Sequence, residues 1–184
     1  MRKINIKRML GDKVQLEPFS LKFVNDDYLS WMNDKEVTKF INKATDNISI
    51  NDLKLFANQM IKSDYDYFFA ILIKKNQHHV GNVRLGPVDF NLMISKFGIM
   101  IGDKNLHSHG IGAEVMELIK DFSFNYLKLQ QIIFPVVKAN IPAMKLYSKT
   151  KFKCLGDLNE TFDKNGKSWK LVEWSMSNPN QIKS

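Results

Sequence analysis

The sequence predicts a mixed α/β fold in one domain, on three observations. Runs with strand character and runs with helical period alternate along the chain in the order β, α, α, β, β, β, α, β, α, β, β. Near the middle stands a strand-like run at 97–102, then the turn His107-Ser108-His109-Gly110-Ile111-Gly112-Ala113, then an apolar helix. The 184 residues are 44% hydrophobic and 25% charged, enough for one full core.

Residues 13–18 alternate apolar and polar and predict the first strand. Leu21, Val24, Tyr28, Leu29 and Met32 set a helical period over 21–33, which Asn25-Asp26-Asp27 either breaks or caps in its second half. Residues 34–41 form a further short helical piece. Residues 47–52 read as a turn with an N-cap, and the helix beyond carries Leu53, Phe56, Met60 and Ile61. The period then changes. Residues 66–74 are rich in aromatic and branched side chains, 75–77 form a polar turn, and 79–85 form a second strand, together a hairpin. Gly86-Pro87 is expected to end that strand, with a loop over 88–95 before the strand at 96–102. Ile111, Val115, Leu118, Ile119 and Phe122 recur at helical spacing, so a helix is expected over about 110–127. In the strand at 130–137, Pro135 cannot donate to a ladder and marks a bulge or an edge. A helix over 141–150 follows. The strands 152–155 and 169–176 close the chain, joined by a polar loop at 159–166, and the polar tail 177–184 is expected to fray.

Net charge is +8, from 27 basic and 19 acidic residues, and only Arg2, Arg8 and Arg84 are arginine. The surplus reads either as attraction for anions or as a lysine-rich solvated surface. The lysines are scattered and no aromatic platform on a basic face is legible, so nucleic acid is not an expected partner. No apolar run approaches the roughly 20 residues of a membrane span, so no membrane association is expected. The basic N-terminal stretch lacks an apolar segment, so a secretory signal is not expected. Cys154 is the only cysteine and is expected to be a small core residue; a reducing, cytoplasmic setting fits.

Two stretches carry chemistry. Gly110 and Gly112 lack side chains, so an anion can approach the N–H groups that a helix leaves unpaired at its first turn, where the dipole adds positive charge. The same glycines equally serve a tight turn and close packing. About thirty residues on, Asn140 is a good N-cap, and Asn140, Ala143 and Tyr147 lie along one helix face. A small residue between two polar ones leaves room for a ligand, and a tyrosine there can donate its phenolic proton. The alternative is an ordinary amphipathic helix with Asn140 only a cap and Tyr147 in the core.

Together the two stretches resemble the GNAT acyltransferases. That family's motif A is a strand, a turn Arg/Gln-x-x-Gly-x-Gly/Ala and a helix, here His107-Ser-His-Gly110-Ile-Gly112. A later strand, an Asn, a helix bearing Tyr and an aromatic-x-x-x-Gly segment follow, here Asn140, Ala143, Leu146-Tyr147, Phe152 and Gly156. The stretch from Tyr28 through Trp31, Asn33 and Glu36 to Val37 looks like the Rim-type branch, which acetylates amines. The resemblance covers about residues 13–176 and makes 1–184 a single acetyltransferase domain with a polar tail. It implies the GNAT fold: one mixed, mostly antiparallel sheet of six to seven strands, flanked by helices and splayed between its two central strands.

The resemblance also implies roles. The turn from His107 through His109, Gly110, Ile111 and Gly112 to Ala113 would bind the pyrophosphate of acetyl-CoA, mainly through the N–H groups from His109 onward. The strand at Met100 and Ile101 would pair with the pantetheine arm as an added strand. Asn140 would hydrogen-bond that arm, with Ala143 beside it. Tyr147 would protonate the leaving thiolate. Trp31 and Asn33 would line the acceptor pocket, although Trp31 reads equally as a core aromatic. An amine would attack the thioester directly, with a strand N–H near Met100 holding the oxyanion. Neither a metal nor a covalent enzyme intermediate is required, and His107-x-His109 lacks a third ligand.

The sequence departs from the family where His107 stands for Arg, Gln or Trp, and where the strand before motif A reads Ser95-Lys96-Phe97-Gly98 without the usual glutamate. Asp89 and Glu36 are candidate bases, each also readable as a capping or solvated residue. The expected function is transfer of acetyl from acetyl-CoA to a primary amine on a small molecule or a protein N-terminus. The positive charge leans toward a small or anionic acceptor, with an aminosugar nucleotide the leading class. A non-catalytic acyl-CoA-binding module is the rival, and a homodimer is compatible with either.

Overall fold

The computed structural model describes residues 7–41 and 47–180. Its strands are β1 (Met9–Leu10), β2 (Val14–Pro18), β3 (Tyr67–Ile73), β4 (His79–Asp89), β5 (Ile94–Ile101), β6 (Gln131–Val137), β7 (Lys153–Lys164) and β8 (Lys167–Ser177). They form one sheet in the order β1-β2-β3-β4-β5-β6-β8-β7, antiparallel throughout except between β5 and β6. Eight strands replace the expected six to seven, because the two-residue β1 is too short to show a period. The helices are α1 (Asp26–Asn33), α2 (Lys35–Thr38), α3 (Ile50–Lys62), α4 (Ile111–Asp121) and α5 (Ile141–Lys149). Among the described residues no helix is long and apolar enough to cross a membrane.

The central junction positions the site. β4 and β5 pair from Gly81 with Ile101 to Leu85 with Phe97 and, beyond a register shift, from Val88 with Ser95 to Asp89 with Ile94. β5 and β6 pair only at Ile94 with Gln131 and Ser95 with Ile132, and then diverge. Pro135 is thereby explained. It sits inside the sheet, opposite Glu173 of β8, beyond the point where β6 has a β5 partner, so its missing N–H breaks no ladder on that side.

Alternation along each strand feeds two cores. On β3, Phe69 and Ile71 point into the larger core, with Val115, Met116 and Ile119 of α4, Phe134 of β6 and Tyr147 of α5. Phe68 and Ala70 point into the smaller one, with Phe19, Phe23, Tyr28, Trp31, Leu53 and Ala57 under α1 and α3.

Local signals set the helix starts. Asn25 caps α1 by accepting from Tyr28 N–H, so the 21–33 segment splits into a 3-10 turn at Leu21–Phe23 and a helix. Asp34 caps α2, and Ser49 and Asp52 form a capping box on α3. Beyond Asp121, α4 passes into a π turn through Tyr126.

Four expectations are corrected. β4 continues through Gly86-Pro87 to Asp89, with a register shift between Leu85 and Val88 that absorbs the proline. The polar 159–166 segment is mostly strand, with its turn at Asn165-Gly166, both at positive φ as a two-residue hairpin requires. Cys154 lies exposed on the edge strand β7 rather than in the core. The tail is fastened past Ser177: Asn178 is buried, and its Nδ2–H donates to Leu129 O at 2.8 Å. Residues 181–184 and the N-terminal 1–6 lie outside the described residues.

Candidate active site

The glycine turn folds as a cradle at the head of α4. Gly110 is its N-cap in the left-handed region (φ 82°), a conformation that favours glycine. Gly112 lies against α5: a Cβ there would come within 3.1 Å of Leu146 Cδ2. Each glycine therefore has a structural reason; the turn His107–Gly110 is exposed, and the first helical residues behind it are buried at Ile111 and half-buried at Gly112 and Ala113. The two histidines shape the turn. His107 Nε2–H donates to Ile101 O at 2.9 Å, and His109 Nδ1–H donates to His107 O at 2.9 Å. No group of three or more His, Cys, Asp or Glu able to hold a metal is found among the described residues.

Lys13 joins this turn and was not singled out in the sequence. Its Nζ–H donates to His109 O at 3.4 Å, while Glu114 on α4 accepts from Lys13 N–H (2.9 Å) and Val14 N–H (3.3 Å). A cation thus stands beside Gly110 from 97 positions earlier in the chain, a separation that no local motif spans.

The edge of β5 faces the divergence. Met100 O points toward β4, because a Cβ on Gly81 would come within 2.2 Å of it. Ile101 O points the other way, to His107. By strand alternation the N–H groups of Ile99 and Ile101 face the gap toward β6, while that of Met100 belongs to the β4 ladder. Met100 therefore offers its side chain to the smaller core rather than its N–H to a ligand. Ile99, not named from the sequence, takes its place on the edge.

Tyr147 bridges the same gap from the other side. Its ring sits 5.0 Å from Phe134 on β6 and 6.3 Å from Phe97 on β5, with Phe152 and Trp174 closing the cage. Burial pushes its phenol pKa above the ordinary value. Asn140 caps α5 by accepting from Ala143 N–H at 3.3 Å, so both residues head the helix that carries Tyr147.

The two residues expected in an acceptor pocket hold structure. Trp31 is buried against His79 and over Gly102, where a Cβ would come 2.0 Å from its Cδ2. Asn33 lines a cavity of ≈ 470 Å³ with Met32, Lys35, Thr38, Asn47, Ile48 and Ser49. Its amide is nonetheless occupied: Nδ2–H donates to Leu29 O and Ile48 O, and Oδ1 accepts from Ile48 N–H. Of the candidate bases, Asp89 caps a turn through Asn91 and Leu92 N–H, and Glu36 is exposed in the first turn of α2.

The acetyltransferase (GNAT) domain model matches residues 13–153. The chain belongs to the GNAT acetyltransferase family. It is 24% identical over 162 residues to an uncharacterized N-acetyltransferase p20 of Bacillus licheniformis, covering 87% of each chain. Its fold is similar to that of a spermidine N-acetyltransferase from Vibrio cholerae in complex with CoA and spermine, with TM-score 0.79, 20% identity, and 90% of this chain and 96% of that one covered. It is similar also to the Microcin C7 self immunity acetyltransferase MccE in complex with acetyl-CoA and AMP, with TM-score 0.78, 17% identity, and coverage of 91% and 93%. The GNAT chain is thus an acyltransferase of the N-acetyltransferase kind, and its diverging β5 and β6 are the splayed pair of that fold.

Proposed function

We propose that the protein transfers acetyl from acetyl-CoA to the primary amine of a small, anionic acceptor, and an aminosugar nucleotide is the acceptor class it suits best. One observation carries the transfer reading: the glycine turn, the free edge of β5 and Tyr147 all meet the gap between β5 and β6. The pyrophosphate rests on the N–H groups from His109 to Ala113, with Lys13 beside them. The pantetheine arm pairs with Ile99 and Ile101 as an added strand, and passes Asn140 and Ala143 at the head of α5. The amine attacks the thioester carbonyl, an edge N–H of β5 holds the oxyanion, and the C–S bond breaks as Tyr147 gives its proton to the sulfur. Burial keeps the phenol protonated at neutral pH, and it also makes Tyr147 a weaker acid than a free phenol, so the transfer depends on the developing negative charge on sulfur.

The anionic acceptor is supported by the surplus positive charge of the chain. Membership of the Rim-type branch rests on the stretch from Tyr28 to Val37, and both Tyr28 and Trp31 within it are core residues. Thiol release from acetyl-CoA against a panel of amines, with cofactor binding by calorimetry on the same sample, tests the reading. Turnover on anionic amines is expected. Tight binding without turnover on any amine would favour an acyl-CoA-binding module, and no binding would mean that the glycine turn is structural only.

A further inference from the structure

We infer that Arg84, held by Asp66, is the residue that recognises the acceptor, and that it selects amines carrying a phosphate or carboxylate; this rests on the acetyl-transfer reading above. Arg84 lies on β4 directly opposite Gly98 of β5, so both project on the same face of the sheet as Met100. Gly98 is next to Ile99, whose N–H faces the gap. The backbone of Arg84 therefore lies about 5 Å across from the strand position beside the reacting carbonyl, the spacing of neighbouring strands, while its guanidinium is anchored on Asp66.

The pair is built to present a cation. Asp66 Oδ1 accepts from Arg84 Nε–H at 2.7 Å and lies 2.6 Å from Arg84 Nη2, while Asp66 Oδ2 accepts from Ser63 Oγ–H at 2.6 Å. The carboxylate side chain is 8% exposed and the guanidinium side chain 36%. Asp66 thus fixes one edge of the fork from within, and Nη1 remains to grip two oxygens of an anion with the outer proton of Nη2. Of the three arginines, Arg8 makes only an exposed pair with Glu17 and Arg2 lies outside the described residues. Among the described residues Arg84 is the arginine seated on the central sheet.

Gly98 supplies the independent observation. It sits in mid-strand, where glycine weakens a strand, and a Cβ added there meets nothing within 4 Å. Neither packing nor backbone conformation asks for it, so open space beside the edge of β5 is what the glycine preserves. Lys96, two positions earlier, projects exposed on the same face. An anionic acceptor would meet there the outer edge of the Arg84 fork and the charge of Lys96.

The test compares matched acceptors: ethanolamine with O-phosphoethanolamine, and alanine amide with alanine. The wild type is expected to show a KM at least about tenfold lower for the anionic member of one pair, the scale of a charge-assisted fork. Arg84→Gln should erase that preference and leave kcat/KM for the neutral member unchanged. Gly98→Val, which fills the open space, should raise the KM for the preferred acceptor at least about tenfold without loss of Tm or of CoA affinity. Lack of preference in both pairs overturns the inference, as does an equal fall for both members in Arg84→Gln. If Arg84→Gln does not fold, an unchanged acceptor KM in Gly98→Val overturns it. If no amine turns over, calorimetry with O-phosphoethanolamine and alanine in the presence of CoA decides. Binding that Gly98→Val abolishes would refute acetyl transfer and keep the anion site; no binding would refute both.

Discussion

At the scale of single residues, burial decides what the titratable groups can do. Tyr147 keeps its proton across the neutral range because the aromatic cage disfavours the phenolate. Tyr147→Phe keeps the ring and the cage, so acetyl-CoA affinity should hold while kcat falls at least about tenfold, within the range of general acid catalysis; an unchanged kcat would remove the tyrosine as the acid. His79 illustrates the opposite case. Its ring is packed among Phe19, Phe23, Tyr28 and Trp31, and Nε2–H donates to Asn82 Oδ1 at 2.9 Å and Gly81 O at 3.0 Å. Burial lowers its pKa below the ordinary 6.5, against the upward pull of those hydrogen bonds and of Asp27. The neutral ring is therefore the folded form. Its stabilisation is complete above pH 6.5 and is lost as pH falls, because the unfolded chain takes up the proton first. Denaturant unfolding from pH 8 to 5 should show that loss, with a slope approaching about 1.4 kcal/mol per pH unit from this group, and His79→Gln should lack it. None of this was legible in the sequence, where His79 is one polar position at the start of a strand. Trp31 was legible only as a choice between pocket and core, and Gly102, which makes room for it, tips the choice to the core.

At the scale of elements, the motifs were read well where a local signal coincides with a local structure. The cap at Asn140, an N-cap within 47–52, the hairpin of β3 and β4, and the glycine turn before α4 are of this kind, and Asn25 resolves the choice between break and cap as a cap. The readings failed where partners decide. β4 runs past Gly86-Pro87 because β5 offers Ser95 and Ile94 beyond the bulge, and residues 161–164 extend because β8 pairs with them. Asn165-Gly166 was a hairpin signal within that stretch that the polar composition obscured. Asn140 has two roles at this scale that can be separated. As a cap it accepts from Ala143 N–H, so Asn140→Ala should lower stability by about 1 kcal/mol, while Asn140→Asp, which caps equally well, should not. If its amide also donates to the cofactor arm, Asn140→Asp should weaken acetyl-CoA binding in calorimetry with Tm unchanged.

At the scale of the whole molecule, the mixed sheet and its splay came from the order of elements and the family resemblance, and the contacts between distant segments did not. Lys13 beside Gly110 and the bridging of β5 and β6 by Tyr147 join parts of the chain that no motif spans. The divergence of those two strands bears finally on how the protein breathes. Past Ser95 and Ile132 the halves of the sheet are held together by side chains from the larger core rather than by main-chain hydrogen bonds. Protection from solvent should therefore be asymmetric along a single strand. The amides of Met100 and Gly98, locked to β4, exchange their hydrogens only on wide opening, whereas those of Ile99 and Ile101 exchange through small local motions. Native-state hydrogen exchange should show this alternation, and acetyl-CoA should slow the fast set alone. Uniform protection along β5 would mean that the seam opens only when the whole fold does.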